Sequence, residues 1–235
     1  MSDAAAEAKP IHWVALESNP EVMSKYMHTI GMSKDWFFSD VYGLSDELLM
    51  MVPPSAAAVI LCFPYGDKYK NFAKEEQEKI EKDGQTLSDN VYFMKQTIRN
   101  ACGTIGVLHA VLNCKDKIPI ADALNAFYEE TKGKNPEERG KSLESNEKIA
   151  QAHGESSQEG QTEAPQAEDD VFQHFIAFVE RDGCVYELDG NKKFPINHGP
   201  VQDGFLKSAA KACQKFMDRD PSELRFTIMA LSDNA

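Results

Sequence analysis

Four residues that could carry out thiol chemistry occur along the chain in the order Gln96, Cys102, His174 and Asp189. A cysteine can act as a nucleophile, a histidine as its base, and an aspartate as the group that orients the base. A side-chain amide upstream of the cysteine can donate a hydrogen bond to an oxyanion. Together these residue types form the set that a thiol hydrolase requires.

The sequence around Cys102 favours a reactive thiol. Cys102 lies in QTIRNACGTIGVLHAV, where a glycine follows it and the apolar run at 103–112 predicts a helix. The N-terminus of a helix offers unpaired N–H groups and the positive end of the helix dipole, and both favour a thiolate. The other cysteines fit the commoner role of small buried apolar residues: Cys62, Cys114, Cys184 and Cys213.

The hairpin between His174 and Asp189 predicts how these two residues are placed. An Asp-Gly pair at 182–183 is a strong signal for a two-residue type I′ turn between two strands. That turn pairs Arg181 with Cys184 and makes His174 and Asp189 diagonal neighbours on one face, with Cβ atoms ~7–8 Å apart or somewhat less. We therefore expect Asp189 to hold the Nδ1–H group of His174 and to leave Nε2 for the thiolate.

The remaining histidines have no comparable carboxylate partner in the sequence pattern and are interpreted as structural: His12, His28, His109, His153 and His198. His109 follows Cys102 by two helical turns and shares its face of the predicted helix. It would lie too far along the axis to act as the base.

Helix and strand signals alternate along the chain. Asn-Pro pairs at 19–20 and 135–136 predict helix starts, because asparagine caps a helix and proline fits its first turn. Amphipathic patterns predict two further helices, and β-branched or aromatic runs predict strands: helices at 68–82 and 119–131, strands at 57–63, 171–179, 185–188 and 225–231. The class is α/β or α+β. Apolar residues of both parities predict that the strand at 171–179 is buried on both faces.

The chain of 235 residues, 42% of them hydrophobic, can form one domain over residues 1–235. The single linker-like stretch lies within residues 146–170, where large apolar side chains are almost absent. Burial of such a segment cannot offset the entropy lost on ordering it. We therefore expect a flexible loop at 146–170.

Charge and cysteine content exclude several classes of function. The net charge of −13 argues against a nucleic acid or an anionic membrane as partner and fits a basic protein surface. No apolar run approaches the ~20 residues that a membrane helix requires. The five cysteines lack metal-type spacing, and the first residues lack the features of a secretion signal. These features predict a reduced, cytoplasmic protein.

The strings MKQTIRNACGTIG, HFIAF, VYELDG and KKFPINHG closely resemble the ubiquitin carboxyl-terminal hydrolase (UCH) family, and the resemblance runs from ALESNPEV to DPSELRFTIMAL. It implies a central, mostly antiparallel sheet flanked by helices, a papain-like catalytic arrangement and a knotted chain. It also implies hydrolysis of small adducts or short peptides from the C-terminal glycine of ubiquitin or a close ubiquitin-like protein, without a metal or organic cofactor.

The resemblance assigns further roles that local patterns would not. It makes Gln96 the oxyanion donor together with the backbone N–H group of Cys102, whereas its spacing alone suggests a solvated residue. It places the loop at 146–170 across the active-site cleft. It also implies that three acidic residues, which local patterns would leave as helix-dipole or solvated carboxylates, meet the arginines of ubiquitin's C-terminal tail: Glu17, Glu21 and Asp40.

Two other functions use the same residue types. A papain-like peptidase or an arylamine acetyltransferase also combines cysteine, histidine and aspartate, but the missing secretion signal argues against the former and the QTIRNACGTIG context against both. A ubiquitin-binding protein of the same fold is the non-enzymatic alternative, because a binder could retain the triad and turn over poorly.

Overall fold

The computed structural model describes residues 11–162, 165–167, 169 and 171–234, and this part of the chain contains eight helices and six strands. The helices are α1 (Pro20–Ile30), α2 (Asp46–Leu49), α3 (Asp67–Asp83), α4 (Cys102–Asn113), α5 (Asp122–Thr131), α6 (Pro136–Glu144), α7 (Glu147–Ser157) and α8 (Phe205–Asp218). The strands are β1 (Trp36–Asp40), β2 (Ala58–Pro64), β3 (Gln173–Arg181), β4 (Cys184–Leu188), β5 (Ile196–Pro200) and β6 (Thr227–Asp233).

The six strands form one sheet in the order β1-β6-β2-β3-β4-β5, and all neighbouring strands are antiparallel. The predicted antiparallel sheet flanked by helices is therefore confirmed. β3 is buried on both faces, as its apolar pattern predicts. Phe175 and Ala177 belong to one apolar layer, whereas Ile176 and Phe178 belong to the other.

The sheet separates two apolar layers. One contains residues of α1, α4, α5, α6 and α7, and the other contains residues of α2, α3 and α8. All residues of α4, from Cys102 to Asn113, are buried. Since a close-packed interior resists displacement, α4 gives its first residue a fixed position relative to β3. Among the described helices, none is both long enough and apolar enough to cross a membrane.

The strongest sequence signals for helix ends are confirmed. The Asn19 side chain accepts hydrogen bonds from the first turn of α1, which ends before Gly31. Asn135 and Glu138 form a capping box at the start of α6. The other predicted helices and strands are present with boundaries shifted by a few residues. The strands β1 and β5 and the helices α2, α7 and α8 have no counterpart among the sequence predictions.

The prediction of a loop over the whole of 146–170 is wrong, because α7 occupies its first half. The side chain of Asn146 accepts a hydrogen bond from the Ile149 N–H group at 3.0 Å and caps the helix. Ile149 and Ala152 are buried against the layer that contains α4. Tertiary packing therefore orders this segment despite its polar composition.

Candidate active site

Cys102 is the first residue of α4 and is 6% exposed. The preceding residues turn the chain sharply into the helix, with Asn100 in the left-handed region at φ 61°. Asparagine tolerates this conformation better than most residues. No side chain caps the start of α4 within the described part of the chain, so its first N–H groups point toward the region in front of Cys102.

The base reaches Cys102 from β3. The thiol of Cys102 contacts the backbone oxygen of Gln173 at 3.9 Å, and His174 is the next residue of the strand. The Cys102 sulfur lies close enough to the His174 imidazole to contribute to raising its pKa. His174 is 4% exposed, so the contact is shielded from bulk water. The structure therefore places the Cys102 thiol beside the His174 imidazole.

Asp189 follows β4 and is 1% exposed. Its Oδ1 atom lies 2.8 Å from Nε2 of His174. The hairpin has the predicted register, with Arg181 opposite Cys184, and both turn residues at 182–183 have positive φ as a type I′ turn requires. A short local turn thus fixes the histidine–carboxylate pair.

The expected assignment of the two imidazole nitrogens is wrong. Asp189 holds Nε2 of His174, not Nδ1. The nitrogen left for Cys102 is therefore Nδ1. From the same Cβ position, the His174 ring can present either Nδ1 or Nε2 to Asp189. The position of the Cys102 thiol at the start of α4 determines which nitrogen faces the sulfur.

The surroundings of His174 favour its protonated form. Burial alone would lower the pKa of His174, but the negative charge and hydrogen bond of Asp189, together with the Cys102 sulfur, raise it to about 10. The pKa of Asp189 is lowered, because the charges of His174 and Lys192 outweigh the effect of burial. The site therefore stabilises an imidazolium between an ionised carboxylate and the sulfur.

Gln96 lies next to the end of the hairpin. Its backbone N–H group donates to Gly190 O at 3.0 Å, and Gly190 directly follows Asp189. A Cβ atom on Gly190 would lie 3.1 Å from Gln96 N and 2.9 Å from Cγ2 of Ile105, a residue of α4. This close approach explains why a glycine fits here. Gly190 thus brings Gln96, the neighbouring Asp189 and the helix α4 into close contact.

The side-chain amide of Gln96 retains hydrogen-bonding capacity. Nε2 donates to Ile98 O at 3.1 Å, and an amide nitrogen carries a second hydrogen. Oε1 is buried without a hydrogen-bond partner among the described residues. One N–H group of this amide therefore remains for a ligand atom.

The histidines interpreted as structural include one that differs from expectation. His198 on β5 has a carboxylate partner after all, since its Nε2 lies 2.9 Å from Oε2 of buried Glu187. Glu187 also binds Lys192 Nζ at 2.6 Å. Sequence reasoning missed this pair because its residues lie on the neighbouring strands β4 and β5, whose pairing contains a register shift. The pair belongs to a buried ionic cluster formed by β4, β5 and Lys192 in the connection between them.

His109 and His153 also have structural hydrogen bonds. Met94 N donates to His109 Nε2 at 3.0 Å, and burial lowers the pKa of His109 to about 4, so the ring is a neutral acceptor. His153 on α7 lies 2.8 Å from Thr104 Oγ1 and 2.7 Å from Val14 O. It thereby links α7 to the nucleophile helix.

The three acidic residues that the resemblance assigns to substrate binding have different environments. Glu17 is half-buried, and its Oε2 atom accepts a hydrogen bond from Gln161 N at 2.8 Å. Glu21 is exposed in the first turn of α1, and Asp40 is exposed at the end of β1. Glu17 therefore contacts the segment that follows α7, whereas the other two face solvent.

The segment 158–170 lies between α7 and β3 in the chain, and two of its described residues contact α1 and the turn before Cys102. Glu159 forms an ion pair with Lys25 of α1 at 2.6 Å. Farther along, Asn100 Nδ2 donates to Ala167 O at 3.0 Å. A cavity of about 380 Å³ lies between this segment, the N-terminal stretch at 15–18 and Gln173.

Comparison with known proteins gives one consistent result. The model of the family "Ubiquitin carboxyl-terminal hydrolase, family 1" matches residues 13–218. A ubiquitin carboxyl-terminal hydrolase of Drosophila melanogaster is 44% identical over 94% of this chain and 97% of its own. The human ubiquitin carboxyl-terminal hydrolase isozyme L1 is 45% identical over 92% of this chain and 96% of its own.

Solved structures show the same fold. The catalytic domain of Trichinella spiralis UCH37, crystallised with ubiquitin vinyl methyl ester, superposes with a TM-score of 0.76 and 24% identity over 98% of each chain. The longer UCH37 chain of the same organism, bound to the same compound, gives a TM-score of 0.72 at 24% identity over 94% of this chain and 82% of that one. The arrangement of helices and sheet is therefore shared.

Proposed function

This chain belongs to the ubiquitin carboxyl-terminal hydrolase family 1, and on that premise we propose that Cys102, His174 and Asp189 are its catalytic triad and Gln96 its oxyanion donor. Members of this family are cysteine-type hydrolases, so the chain is a thiol-dependent ubiquitin carboxyl-terminal hydrolase. The observation that carries the assignment of residues is the His174–Asp189 hydrogen bond of 2.8 Å beside the Cys102 thiol.

The proposed reaction begins with attack of the Cys102 sulfur on the carbonyl carbon of ubiquitin's C-terminal glycine. The oxyanion that forms accepts hydrogen bonds from the Gln96 amide and the Cys102 N–H group, and a donor of this kind typically contributes roughly 10²–10³ in kcat. His174 transfers the Nδ1 proton to the leaving group, and the bond to that group breaks. A thioester between ubiquitin and Cys102 remains.

The second half of the reaction returns the enzyme to its starting state. His174, now neutral, takes a proton from a water molecule as the water oxygen attacks the thioester carbonyl carbon. The bond from carbon to sulfur then breaks, which releases ubiquitin with a free carboxyl group, and this group loses its remaining proton to solvent. The sulfur leaves as a thiolate beside the imidazolium. Asp189 holds Nε2 throughout and keeps Nδ1 aimed at the reaction.

Release of a fluorophore attached to ubiquitin's C-terminus tests this function directly. We expect turnover with ubiquitin–fluorophore and no release from the same fluorophore on a short peptide that ends in the ubiquitin tail sequence at equal concentration. The comparison separates recognition of folded ubiquitin from general peptidase activity. Binding of ubiquitin without any fluorophore release would contradict the proposal and favour a ubiquitin-binding protein.

Ubiquitin is the proposed partner, because the similar UCH37 structures contain bound ubiquitin vinyl methyl ester, and close ubiquitin-like proteins are further candidates. A cytoplasmic location is proposed from the cysteines. All five are free, and Cys62, Cys114 and Cys213 are buried thiols. Free thiols of this kind are typical of a reducing compartment.

The segment 158–170 is proposed to cross the active-site cleft and to limit the size of the leaving group. Its contacts with Lys25 of α1 and with Asn100, two residues before Cys102, support this path. We expect short peptides fused to ubiquitin to be cleaved at least ~10-fold faster than a folded protein fused through the same linker. Steady-state kinetics on the two fusions measure the ratio.

Lengthening the segment should reduce this preference. An insertion of Gly-Ser repeats after Thr162 is expected to raise cleavage of the folded fusion and leave cleavage of the short fusion nearly unchanged. The same insertion after Gly133, an exposed residue between α5 and α6, is the matched control. Equal rates on both fusions by the unmodified enzyme would contradict a size limit.

Glu17, Glu21 and Asp40 are proposed to attract the basic tail of ubiquitin, which the net charge of −13 supports. Because Glu17 already accepts a bond from Gln161, the test uses the two exposed acids. Replacing Glu21 with Gln and Asp40 with Asn should raise KM about 3- to 10-fold with little change in kcat. Added salt should weaken the unmodified enzyme more than the variant.

The matched control neutralises two exposed acids elsewhere, Glu75 on α3 and Glu144 at the end of α6, and changes the net charge by the same amount. This variant should keep KM close to the unmodified value. If both double variants show the same KM and the same salt dependence, Glu21 and Asp40 have no role in substrate binding.

A further inference from the structure

The carboxylate of Asp189 is held on both of its oxygens. Oδ1 accepts from His174 Nε2 at 2.8 Å and from Asn191 N at 2.9 Å. Within the described part of the chain, the donor to Oδ2 is the hydroxyl of Tyr69, at 3.0 Å. We propose that Tyr69 is a positioning residue of the hydrolase, which fixes the orientation of the Asp189 carboxylate and through it the imidazole of His174. This inference rests on the proposed triad.

The direction of the Tyr69 hydrogen bond follows from the chemistry of its partner. An ionised carboxylate only accepts, so the hydroxyl must donate its proton. Burial first, and then the negative charges of Asp189 and Glu187, raise the pKa of Tyr69 well above its ordinary value. The phenol therefore remains a donor over the whole pH range in which the enzyme could work.

The ring of Tyr69 is itself fixed by packing. Phe63 of β2 meets it edge-on at 4.5 Å between centroids, and Phe216 of α8 stacks on it at 5.7 Å with an interplanar angle of 27°. Tyr69 is 6% exposed and lies on α3. A donor on a rigid helix, packed between two elements, can hold its acceptor within a narrow range of positions.

The two oxygens of a carboxylate exchange when it rotates about χ2, and this torsion has a broad energy minimum. Without Tyr69, Oδ2 would be a buried acceptor that has lost its donor, and the carboxylate could turn to seek another. Rotation would lengthen the Oδ1···Nε2 contact and release the imidazole. Tyr69 acts on His174 through Asp189 and does not contact the reacting atoms.

Replacing Tyr69 with Phe removes the hydroxyl and keeps the ring. We expect kcat for ubiquitin–fluorophore to fall about 10-fold or more, because a hydrogen bond to a charged group is lost, with KM nearly unchanged. The alkaline limb of the kcat profile should move to lower pH, because a carboxylate free to turn no longer stabilises the imidazolium as strongly.

Tyr92→Phe is the matched control. The Tyr92 hydroxyl is also buried and hydrogen-bonded, to Thr131 Oγ1 at 2.7 Å, but it lies away from Asp189 between α4 and α5. Both variants should lose stability to a similar extent in thermal unfolding. Only Tyr69→Phe should change kcat and the pH profile. Equal kcat for the two variants would overturn the inference.

A double-mutant cycle tests whether Tyr69 acts through Asp189. In an Asp189→Ala background, Tyr69→Phe should have almost no further effect on the single-turnover rate, measured with enzyme in excess. A full 10-fold effect in that background would overturn the inference and leave the triad intact. Loss of activity in Asp189→Ala, combined with full activity in Tyr69→Phe, would likewise overturn the inference about Tyr69 and leave the triad intact. Full activity in Asp189→Ala would overturn both proposals.

Discussion

Replacing Cys102 with Ala is expected to abolish release of a fluorophore from ubiquitin's C-terminus, a loss on the order of 10³-fold or more. The acyl intermediate needs the Cys102 sulfur, and no other residue of the proposed site can replace it. Ubiquitin binding should persist, because the side chain is small and only 6% exposed. Calorimetric titration with ubiquitin measures binding separately from turnover.

The other cysteines provide the control for this experiment. Burial raises the pKa of the Cys62 and Cys213 thiols far above neutrality and that of Cys114 to about 12, so these groups remain unreactive thiols. Cys213→Ala should therefore retain full activity. A ubiquitin vinyl methyl ester probe should modify Cys102 and fail to modify Cys102→Ala. An adduct mapped to another cysteine would contradict the assignment of Cys102 as the nucleophile.

Local turn chemistry makes the histidine–carboxylate pair predictable. An Asp-Gly turn fixes the register of a hairpin, and the two-residue period of a strand then fixes which side chains share a face. Those two rules are enough to place His174 and Asp189 together on one face of the hairpin. They cannot give the orientation of the imidazole. That depends on α4, an element distant in sequence, which delivers Cys102 to the Nδ1 side.

The helix α7 shows the opposite case, in which a local rule fails. Few large apolar residues in 146–170 suggest that burial cannot order the segment, yet Ile149 and Ala152 are buried. The sequence does contain a signal for this helix: Asn146 can cap it, and residues of good helix propensity follow. The contacts of His153 with Thr104 and Val14 are not predictable, because they join three segments far apart in the chain.

Tyr69 and the His198–Glu187 pair are missed by sequence reasoning for a related reason. Tyr69 lies in an amphipathic helix, where an aromatic residue on the apolar face is expected to be core. Nothing in its spacing identifies the carboxylate that its hydroxyl reaches. The partners of buried polar groups are set by how α3 and the hairpin pack, whereas caps, turns and strand pairs are set within a few residues.

Replacing Asp189 with Asn is expected to move the alkaline limit of activity to lower pH. The active form pairs the Cys102 thiolate with the His174 imidazolium, and it is lost as pH rises through the pKa of His174, which is raised to about 10. The substitution removes the negative charge that opposes the effect of burial. The pKa of His174 should fall toward or below the ordinary value of ~6.5.

The fall in the pKa of His174 predicts a loss of activity that depends on pH, which a simple loss of stability would not produce. If the pKa of His174 falls to ~6.5, about 1% of the imidazolium remains at pH 8.5, so kcat/KM should drop on the order of 100-fold there and much less near pH 6. Asp182→Asn, on the exposed turn of the same hairpin, is the control and should keep the original profile. Circular dichroism over the same pH range checks that both variants stay folded. A ratio of variant to unmodified activity that is constant from pH 6 to pH 9 would show that the Asp189 carboxylate does not set the charge of His174.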